Sequence, residues 1–401
     1  MLVEIKKGCP RGTVIAPPSK SMAHRYLICA ALSGGTSVIH NVSLSKDIEA
    51  TISALKSLGA EITVSGSDVT VKGIEKLNKS SEVYCNESGS TLRFLIPISL
   101  IEENEVAFRG SGRLMERPQT VYEEIYETEG IEFSKTEDSI KLRGKLSGGE
   151  YFVKGNISSQ FISGLLFALP KLSTESRVTV TTPLESLPYI RMTLQALKIF
   201  GVDVEFKDNC FIIPDSCNFK PTEVTVEGDY SNAAFLDALK ILGGDVEVMG
   251  LIEDSLQGDK VYRQYFDLLK SETPTLDISQ CPDLGPVLMA VAAARNGAVF
   301  TGTERLKIKE SDRGAAMAEE LRKFGVELEI GDNYIKVPCG LKAPDATLFG
   351  HNDHRIVMSM AVLCTLTGGK IEGAQAVAKS YPDFWDKLMA LGIEANILET
   401  Q

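Results

Sequence analysis

The sequence predicts an α/β protein in which a unit of about seventy residues is repeated six times. Two observations support this fold class. Polar, often charged segments lead directly into apolar, helix-like runs at a near-constant spacing, and most units contain a second helix that ends at a glycine before a strand-like run. The polar segments begin near Ser21, Ser88, Ser158, Ser231, Asp283 and Asp353, with spacings of 67, 70, 73, 52 and 70 residues.

The first helix of a unit is predicted from the apolar residues that follow its polar start. These runs are Tyr26–Leu32, Phe161–Leu169, Phe235–Leu242, Val287–Ala294 and Ile356–Leu366. The second helix ends at Gly59, Gly201, Gly325 and Gly392, and more weakly at Gly130. A glycine in this position is the usual left-handed C-cap, and the alternation after it indicates a half-buried strand. The fourth unit is the least regular, with Val261–Leu269 as its second helix and no clear glycine.

An α/β protein without repeats is the alternative, since helix, glycine and strand follow one another in many such folds; the near-constant period favours the repeat. Six units divide into three and three, and the chain crosses between two domains most simply at Val226–Asp229, with Ala16–Ser19 as the other crossing. We expect one domain to comprise residues 1–16 and 228–401 and the inserted domain residues 17–227.

Composition narrows the class of protein. With 43% hydrophobic and 24% charged residues, the chain is typical of a globular protein, and its N-terminus lacks the features of a signal or transit peptide. Eight cysteines without a C-x-x-C pair suggest neither a zinc site nor a disulfide framework. The net charge of −12 argues against nucleic acid or an anionic membrane as partner. We expect a cytoplasmic monomer.

The polar starts concentrate cations and hydroxyls, although the chain as a whole is acidic. Helix N-termini favour anions, and Lys20, Ser21 and Arg25 add charge and donors to the first of them. Helix capping is the structural alternative for each serine. Comparable residues occur in other starts and in three further segments: Gly89, Arg93, Ser158, Ser159, Gln160, His354 and Arg355, then Arg117, Lys309, Arg313 and Lys379. This set predicts small, multiply anionic substrates.

Two carboxylates, Asp283 and Glu310, lie among these cations and are not needed to bind anions. General acid and base catalysis is the better explanation for them. The alternative for the segment from Lys307 to Arg313 is a solvated charge run in which Ser311 caps a helix over Ala315–Phe324. His351, Asp353 and His354 could suggest a metal site, but a further histidine ligand is missing, so we expect no metal.

Seven segments in this order closely resemble the 5-enolpyruvylshikimate-3-phosphate synthase family. They are Pro18-Ser19-Lys20-Ser21-x-x-x-Arg25, Gly89-Ser90-x-x-Arg93, Glu116-Arg117-Pro118, Ser158-Ser159-Gln160, Lys309-Glu310-Ser311-Asp312-Arg313, Asp353-His354-Arg355 and Lys379-Ser380-x-Pro382-Asp383. The resemblance covers essentially the whole chain. It implies a two-domain inside-out α/β barrel with three units per domain and an active site in the interdomain cleft.

The resemblance also implies the reaction and the residues that carry it. The enolpyruvyl group of phosphoenolpyruvate would pass to the 5-hydroxyl of shikimate 3-phosphate, releasing phosphate, without a cofactor. Shikimate 3-phosphate would be held by Lys20, Ser21, Arg25, Ser158, Ser159, Gln160, Ser186, Asp283 and Lys309. Phosphoenolpyruvate would be held by Lys20, Gly89, Arg117, Gln160, Arg313, Arg355 and Lys379. Arg93 and His354 would support the site, and Asp283, Glu310 and Lys20 would be catalytic.

Some positions depart from the family pattern. Ser186 precedes Leu187-Pro188, where the family often has Lys before Pro. Glu87 stands where the family frequently has Asn or Asp, and Arg305 replaces a residue that is Asn in some members. Gly89 leaves room that an alanine would fill, so by analogy with the family that the sequence resembles we expect inhibition by glyphosate. The related transferase that acts on UDP-N-acetylglucosamine is one alternative, but Ser21 follows Lys20 where it would carry Asn, and its usual loop cysteine is missing. A non-catalytic anion-binding protein is another, and it leaves Asp283 and Glu310 without a role.

Overall fold

The computed structural model describes residues 1–215 and 217–398. Its α-helices are α1 (Lys20–Leu32), α2 (Lys46–Leu58), α3 (Gly89–Ile98), α4 (Thr120–Glu129), α5 (Ser159–Ala168), α6 (Leu187–Ile199), α7 (Tyr230–Ile241), α8 (Tyr262–Ser271), α9 (Gly285–Ala294), α10 (Arg313–Lys323), α11 (His354–Thr367) and α12 (Phe384–Ala390). In these residues, no helix is both long enough and apolar enough to span a bilayer.

The strands are short. They are β1 (Leu2–Ile5), β2 (Arg11–Ile15), β3 (Thr36–His40), β4 (Glu61–Ser65), β5 (Asp68–Lys72), β6 (Ser81–Tyr84), β7 (Asn104–Arg109), β8 (Glu132–Lys135), β9 (Ser139–Gly144), β10 (Glu150–Val153), β11 (Ser176–Val180), β12 (Glu205–Lys207), β13 (Cys210–Ile213), β14 (Glu223–Thr225), β15 (Asp245–Met249), β16 (Thr275–Asp277), β17 (Ala298–Thr301), β18 (Glu329–Ile330), β19 (Tyr334–Val337), β20 (Leu348–Phe349), β21 (Gly369–Glu372) and β22 (Ala395–Leu398). The described residues also contain five 3-10 turns: Leu169–Lys171, Gly258–Val261, Pro282–Leu284, Glu304–Ile308 and Ala374–Lys379.

The chain forms two compact units, each with its own hydrophobic core. The split domain comprises Met1–Pro17 and the chain from Gly228 onward, and the inserted domain comprises Pro18–Glu227. In the inserted domain, α3 packs along α5, and α1 contacts α2 and α6. In the split domain, the helices α7, α9 and α11 pack against one another.

The sheets confirm the sixfold repeat. Five four-stranded sheets share one pairing, in which two parallel strands are followed by two antiparallel ones; their orders are β14-β3-β5-β4, β6-β7-β9-β8, β10-β11-β13-β12, β16-β17-β19-β18 and β20-β21-β1-β22. The sixth sheet contains only the parallel pair β15-β2. Three sheets lie in each domain.

The parallel pair explains where the polar starts lie. Parallel neighbours require a crossover connection, and in the second unit α3 makes that connection between β6 and β7. The first helix of a unit therefore begins beyond the carboxyl end of the first strand of its pair. In the same way α5 lies between β10 and β11, α9 between β16 and β17, and α11 between β20 and β21, whereas in chain order α1 directly follows β2 and α7 directly follows β14.

The five glycines that were predicted to end the second helices all have positive φ, from 68° at Gly130 to 117° at Gly59, which confirms the left-handed C-caps. The irregular fourth unit has α8 at the predicted position, but α8 ends at Ser271 without a glycine cap, and among the described residues its sheet lacks the antiparallel strands found in the other units. The missing glycine that marked this unit in the sequence agrees with the missing strands, because in the other units the glycine leads into them.

Candidate active site

In the inserted domain, three helix starts carry the predicted substrate-binding residues. Ser19, Ser88 and Ser158 cap α1, α3 and α5, and each hydroxyl accepts a hydrogen bond from a backbone N–H of the first turn. Ser19 rather than Ser21 is therefore the N-cap, so the half-buried Ser21 side chain is not needed to begin the helix. Ser158 does cap its helix, and Ser159 beside it is buried.

The ammonium group of Lys20 lies in the first turn of α1 and pairs with Asp47 in the first turn of α2. The Nζ to Oδ2 distance is 2.7 Å, and the two side chains are 16% and 10% exposed. Asp47 had not been singled out in the sequence, because an acidic residue in a first helical turn is common for reasons of the helix dipole alone. This ion pair restrains the orientation of the Lys20 side chain.

Arg25 is buried one turn further along α1. Its guanidinium donates to the Thr193 hydroxyl at 3.0 Å and to the carbonyls of Ser21 at 2.7 Å and Tyr189 at 2.8 Å. Burial lowers the pKa of Arg25 to about 10, so the group is still a cation at neutral pH. Arg25 thereby ties α1 to α6, whose start carries Ser186. That serine is fully buried, with φ of 55°, at the N-cap position of α6.

Gly89, Arg117 and Gln160 lie together between the starts of α3 and α5. A Cβ atom built on Gly89 would be 2.8 Å from Arg117 Nη1 and 3.4 Å from Gln160 Oε1. The Gln160 amide accepts from Arg93 Nη1 at 2.9 Å and donates to Ser90 Oγ at 3.1 Å. The second and third units are therefore joined by a side-chain network at their helix starts, and the missing side chain at position 89 keeps the Arg117 guanidinium close to the backbone.

A series of hydrogen bonds through hydroxyl groups connects α1, α2 and α3 near their N-terminal ends. His24 Nδ1 bonds Thr51 Oγ1 at 2.8 Å, Thr51 bonds Thr91 at 2.6 Å, and Thr91 donates to Ser88 Oγ at 2.7 Å. Burial holds the pKa of His24 well below its usual range, with Lys20 adding to the effect. The neutral ring links α1, α2 and α3 one turn below the Lys20–Asp47 pair, a role that the sequence did not reveal.

In the split domain, Arg313 is the centre of the candidate site. Its side chain is 1% exposed and binds three carboxylates: Asp353 through Nε at 2.9 Å, Asp283 through Nη1 at 2.8 Å and Glu310 through Nη2 at 2.7 Å. Burial alone would lower the pKa of this guanidinium, but its three partners raise it above the ordinary value. The two predicted catalytic carboxylates thus share one buried cation.

Asp283 lies in the 3-10 turn Pro282–Leu284, just before α9, and meets three cations. Besides Arg313, it accepts from Lys309 Nζ at 3.1 Å and from Arg355 Nη2 at 3.1 Å. Burial acts to raise the pKa of this carboxyl, but the cations outweigh it and hold the pKa well below its usual range. Burial also lowers the pKa of Lys309 to about 8, although Asp283 acts to raise it.

The start of α11 supplies the remaining predicted groups. Asp353 caps the helix by accepting from the Arg355 N–H at 2.9 Å, and it also accepts from Ser311 Oγ at 3.0 Å. Ser311 is therefore no cap of α10; the structure assigns that role to Asp312, whose carboxylate accepts from Ala315 N, and α10 begins at Arg313 rather than at Ala315. His354 is buried.

Lys379 reaches this segment from the 3-10 turn Ala374–Lys379, and its ammonium donates to the carbonyl of Asn352. The four predicted cations of the split domain, Lys309, Arg313, Arg355 and Lys379, are therefore brought to one region through Asp283, Asp353 and the Asn352 carbonyl. Glu320, which also contacts this segment, was not predicted as a site residue, because a glutamate inside an amphipathic helix resembles an exposed one in sequence.

Solved structures share this fold. An EPSP synthase from Acinetobacter baumannii aligns with a TM-score of 0.78 at 22% identity, covering 99% of this chain and 100% of that one. The enolpyruvyl transferase NikO from Streptomyces tendae aligns with a TM-score of 0.79 at 15% identity, covering 98% of each. The fold is therefore that of the enolpyruvyl transferases, which confirms the predicted fold class.

Sequence relatives narrow the family. The family model described as EPSP synthase (3-phosphoshikimate 1-carboxyvinyltransferase) matches residues 6–388. A 3-phosphoshikimate 1-carboxyvinyltransferase of Clostridium perfringens is 43% identical, covering 95% of this chain and 96% of the relative, and one of Clostridium acetobutylicum is 42% identical, covering 97% of each. The chain belongs to the EPSP synthase family, and its activity is transfer of the enolpyruvyl group of phosphoenolpyruvate to shikimate 3-phosphate in the shikimate pathway.

Proposed function

We propose that both domains supply groups to the same pair of substrates, the inserted domain mainly binding and the split domain also transferring protons. The observation that carries this proposal is the Arg313 guanidinium, which holds Asp283 on one nitrogen and Glu310 on another at 2.8 Å and 2.7 Å. Two carboxylates on a shared cation suit a reaction that moves one proton at oxygen and one at carbon.

Phosphoenolpyruvate carries a phosphate and a carboxylate, and planar guanidinium groups match both. We assign its binding to Lys20, Gly89, Arg117, Gln160, Arg313, Arg355 and Lys379. Gly89 supports this assignment because its missing side chain leaves the Arg117 guanidinium close to the backbone of a helix start. A helix N-terminus adds unpaired N–H groups for the same anion.

Shikimate 3-phosphate would be bound by Lys20, Ser21, Arg25, Ser158, Ser159, Gln160, Ser186, Asp283 and Lys309. The serines are at or beside helix starts, where their hydroxyls can supplement backbone N–H groups around a phosphate. Asp283 differs from them because a carboxylate repels phosphate. It suits a hydroxyl of the substrate, whose proton it can accept.

In the addition step, the 5-hydroxyl oxygen bonds C2 of phosphoenolpyruvate and its proton passes to the Asp283 carboxylate, while Glu310, which starts the cycle as the neutral acid, delivers its proton to C3. In the elimination step, the bond from C2 to the phosphate oxygen breaks, Glu310 takes a proton back from C3, and Asp283 returns its proton to the departing phosphate. Both carboxyls end as they began, and Lys20 neutralises phosphate throughout. Arg93 and His354 support the groups that touch the substrates.

The low pKa of Asp283 makes it a poor base before substrates bind, because efficient bases titrate near the working pH. Anionic substrates change this balance. When Arg355 and Lys309 also face phosphate or carboxylate oxygens, less of their positive potential stabilises the Asp283 charge, and the pKa of this carboxyl rises. The base is therefore strengthened by the substrates on which it acts.

Phosphate release on mixing the protein with shikimate 3-phosphate and phosphoenolpyruvate tests the reaction, with UDP-N-acetylglucosamine in place of shikimate 3-phosphate as the control. Glu310→Gln and Asp283→Asn keep shape and should each lower kcat by at least about 100-fold, the scale of general acid–base catalysis. Near-normal turnover in either variant, with an unchanged unfolding midpoint, would refute its catalytic assignment. We propose a cytoplasmic monomer, and gel filtration at assay concentration tests its state.

A further inference from the structure

Two neighbouring residues before the Asp353 cap adopt an uncommon backbone conformation. His351 has φ of 48° and Asn352 has φ of 51°, both in the left-handed region. Non-glycine residues rarely occupy this region, Asn being among the more tolerant types, and they persist there only when surrounding contacts enforce it. The left-handed turn, residues 349–353, joins the end of β20 to the start of α11.

Glu320 supplies the enforcing contacts. Its carboxylate is fully buried on α10 and accepts from the Phe349 N–H at 2.9 Å and from His351 Nε2 at 2.8 Å. A carboxylate only accepts, so His351 carries a proton on Nε2. Lys323 donates to both Glu320 oxygens, at 2.9 Å and 3.0 Å. The carboxylate thus binds the backbone at one end of the left-handed turn and a side chain in its middle.

The same helix holds the other end of the turn. Arg313, in the first turn of α10, binds Asp353, so α10 contacts the left-handed turn both through Arg313 and, two turns later, through Glu320. Between these two attachments, the carbonyl of Asn352 accepts a hydrogen bond from the ammonium group of Lys379. The direction of that carbonyl depends on the φ values that the Glu320 contacts maintain.

We propose that Glu320 and His351 are positioning residues for phosphoenolpyruvate binding. By clamping the left-handed turn, they orient the Asn352 carbonyl and so hold the Lys379 ammonium in place. The same clamp positions the first turn of α11, which contains Arg355. The inference rests on the proposed function, in which Lys379 and Arg355 hold phosphoenolpyruvate. Neither clamp residue touches the substrate in this proposal.

A metal ion is a weaker explanation for the same cluster. Ligand atoms of Glu319, Glu320 and His351 lie within 4.8 Å of one another. However, Lys323 already contacts both Glu320 oxygens, and an ammonium group there would repel a divalent ion. The lysine supplies the positive charge that a buried carboxylate needs, and its presence together with hydrogen bonds from the turn lowers the pKa of Glu320 despite burial.

Two clamp variants and one neighbour test the proposal. Glu320→Gln keeps the side-chain volume and removes the charge, whereas His351→Asn keeps a residue that tolerates positive φ but shortens the side chain that meets Glu320. Glu319→Gln is the matched control, because Glu319 is next to Glu320 on α10 and lies 4.0 Å from His351, with its side chain 51% exposed. Steady-state kinetics for each substrate would be combined with hydrogen exchange of the peptide covering residues 348–355.

Each clamp variant should raise KM for phosphoenolpyruvate about 10-fold, the scale expected when a positioned group moves by part of an ångström. KM for shikimate 3-phosphate should stay within about twofold, and exchange in the turn should accelerate. The double variant should be no worse than the more severe single variant, because both changes release the same clamp. The Glu319→Gln control should match the unchanged protein.

Faster exchange with an unchanged KM for phosphoenolpyruvate would overturn the positioning role, and so would equal losses for both substrates that follow the unfolding midpoint. Lys379→Met separates this inference from the proposed function. If that variant leaves KM for phosphoenolpyruvate unchanged, the assignment of Lys379 is wrong. If it raises KM and the clamp variants do not, the assignment stands and the clamp is refuted.

Discussion

The substitution Gly89→Ala places one methyl group against the guanidinium proposed to bind phosphoenolpyruvate. The added Cβ would be 2.8 Å from Arg117 Nη1, whereas ordinary contact begins at 3.4 Å, so the guanidinium must retreat by 0.6 Å, the difference of the two distances. The Gln160 amide, at 3.4 Å, can remain in place. The change therefore acts on one cation and leaves the neighbouring network intact.

We expect the substitution to weaken phosphoenolpyruvate binding and to leave the stability of the fold nearly unchanged. Gly89 is the first residue of α3 and its φ lies outside the left-handed region, so alanine fits the backbone and its helix propensity favours it by up to about 1 kcal/mol. A displacement below 1 Å of a group that orients a reacting substrate can lower the rate by up to about 100-fold. We expect KM for phosphoenolpyruvate to rise between about 10-fold and 100-fold, with the unfolding midpoint within about 2 °C of its original value.

Steady-state kinetics at saturating shikimate 3-phosphate measure this effect, and a glyphosate titration measures whether the inhibitor loses affinity as well. Gly34→Ala is the matched control, because a Cβ at Gly34 meets nothing within 4 Å and that glycine also lacks a left-handed φ. A Gly89→Ala protein with unchanged KM and unchanged inhibition would show that Arg117 does not bind phosphoenolpyruvate. A KM rise in Gly34→Ala would show that the loss is not local.

Two further predictions follow from the buried groups. Because the pKa of Lys309 is lowered to about 8, kcat/KM for shikimate 3-phosphate should fall as the pH rises through that value and the cation is lost. Lys309→Arg should move this fall to higher pH. A pH profile that the substitution leaves unchanged would contradict the role of Lys309. Thr51→Val should lower the free energy of unfolding by about 2 kcal/mol, because it removes the hydroxyl that bonds the buried His24 ring and the buried Thr91 hydroxyl. Urea unfolding of this variant beside Thr51→Ser, which keeps the hydroxyl, measures the loss. Equal stability of the two variants would contradict the prediction.

The repeat was predictable because each of its features has a local cause. Glycines at positions such as Gly59 and Gly325 are needed for left-handed caps, and alternating residues mark strands that bury one face. Even the irregular fourth unit was visible in sequence, since its second helix is not followed by a clear glycine. The N-caps were predicted less well. Ser19 and Asp312, not Ser21 or Ser311, begin their helices, because any of several consecutive polar residues can serve as a cap.

Candidate site residues could be chosen from the sequence where a residue type is chemically unusual for its position, as with the cations at the helix starts, and their assignment stays a prediction. Their partners were not. Asp47, Thr51 and Glu320 are ordinary residues in helices, and only the packing of one helix on another brings them to Lys20, His24 and the left-handed turn. These contacts join residues at least 27 positions apart, so no local spacing could indicate them.

Two arginines in each domain differ in their hydrogen-bond partners, and this difference suits the different tasks proposed for the two domains. In the inserted domain, Arg25 and Arg93 donate to carbonyl, hydroxyl and amide oxygens, neutral partners that an arriving anion can replace or supplement without moving a proton. In the split domain, Arg313 and Arg355 donate to carboxylates. An anion that arrives there competes with a titratable group, so binding weakens the hold on the Asp283 charge and raises the pKa of that carboxyl. Under the proposed function, helix starts of the inserted domain would bind anions without taking up their protons, and those of the split domain would couple anion binding to proton transfer.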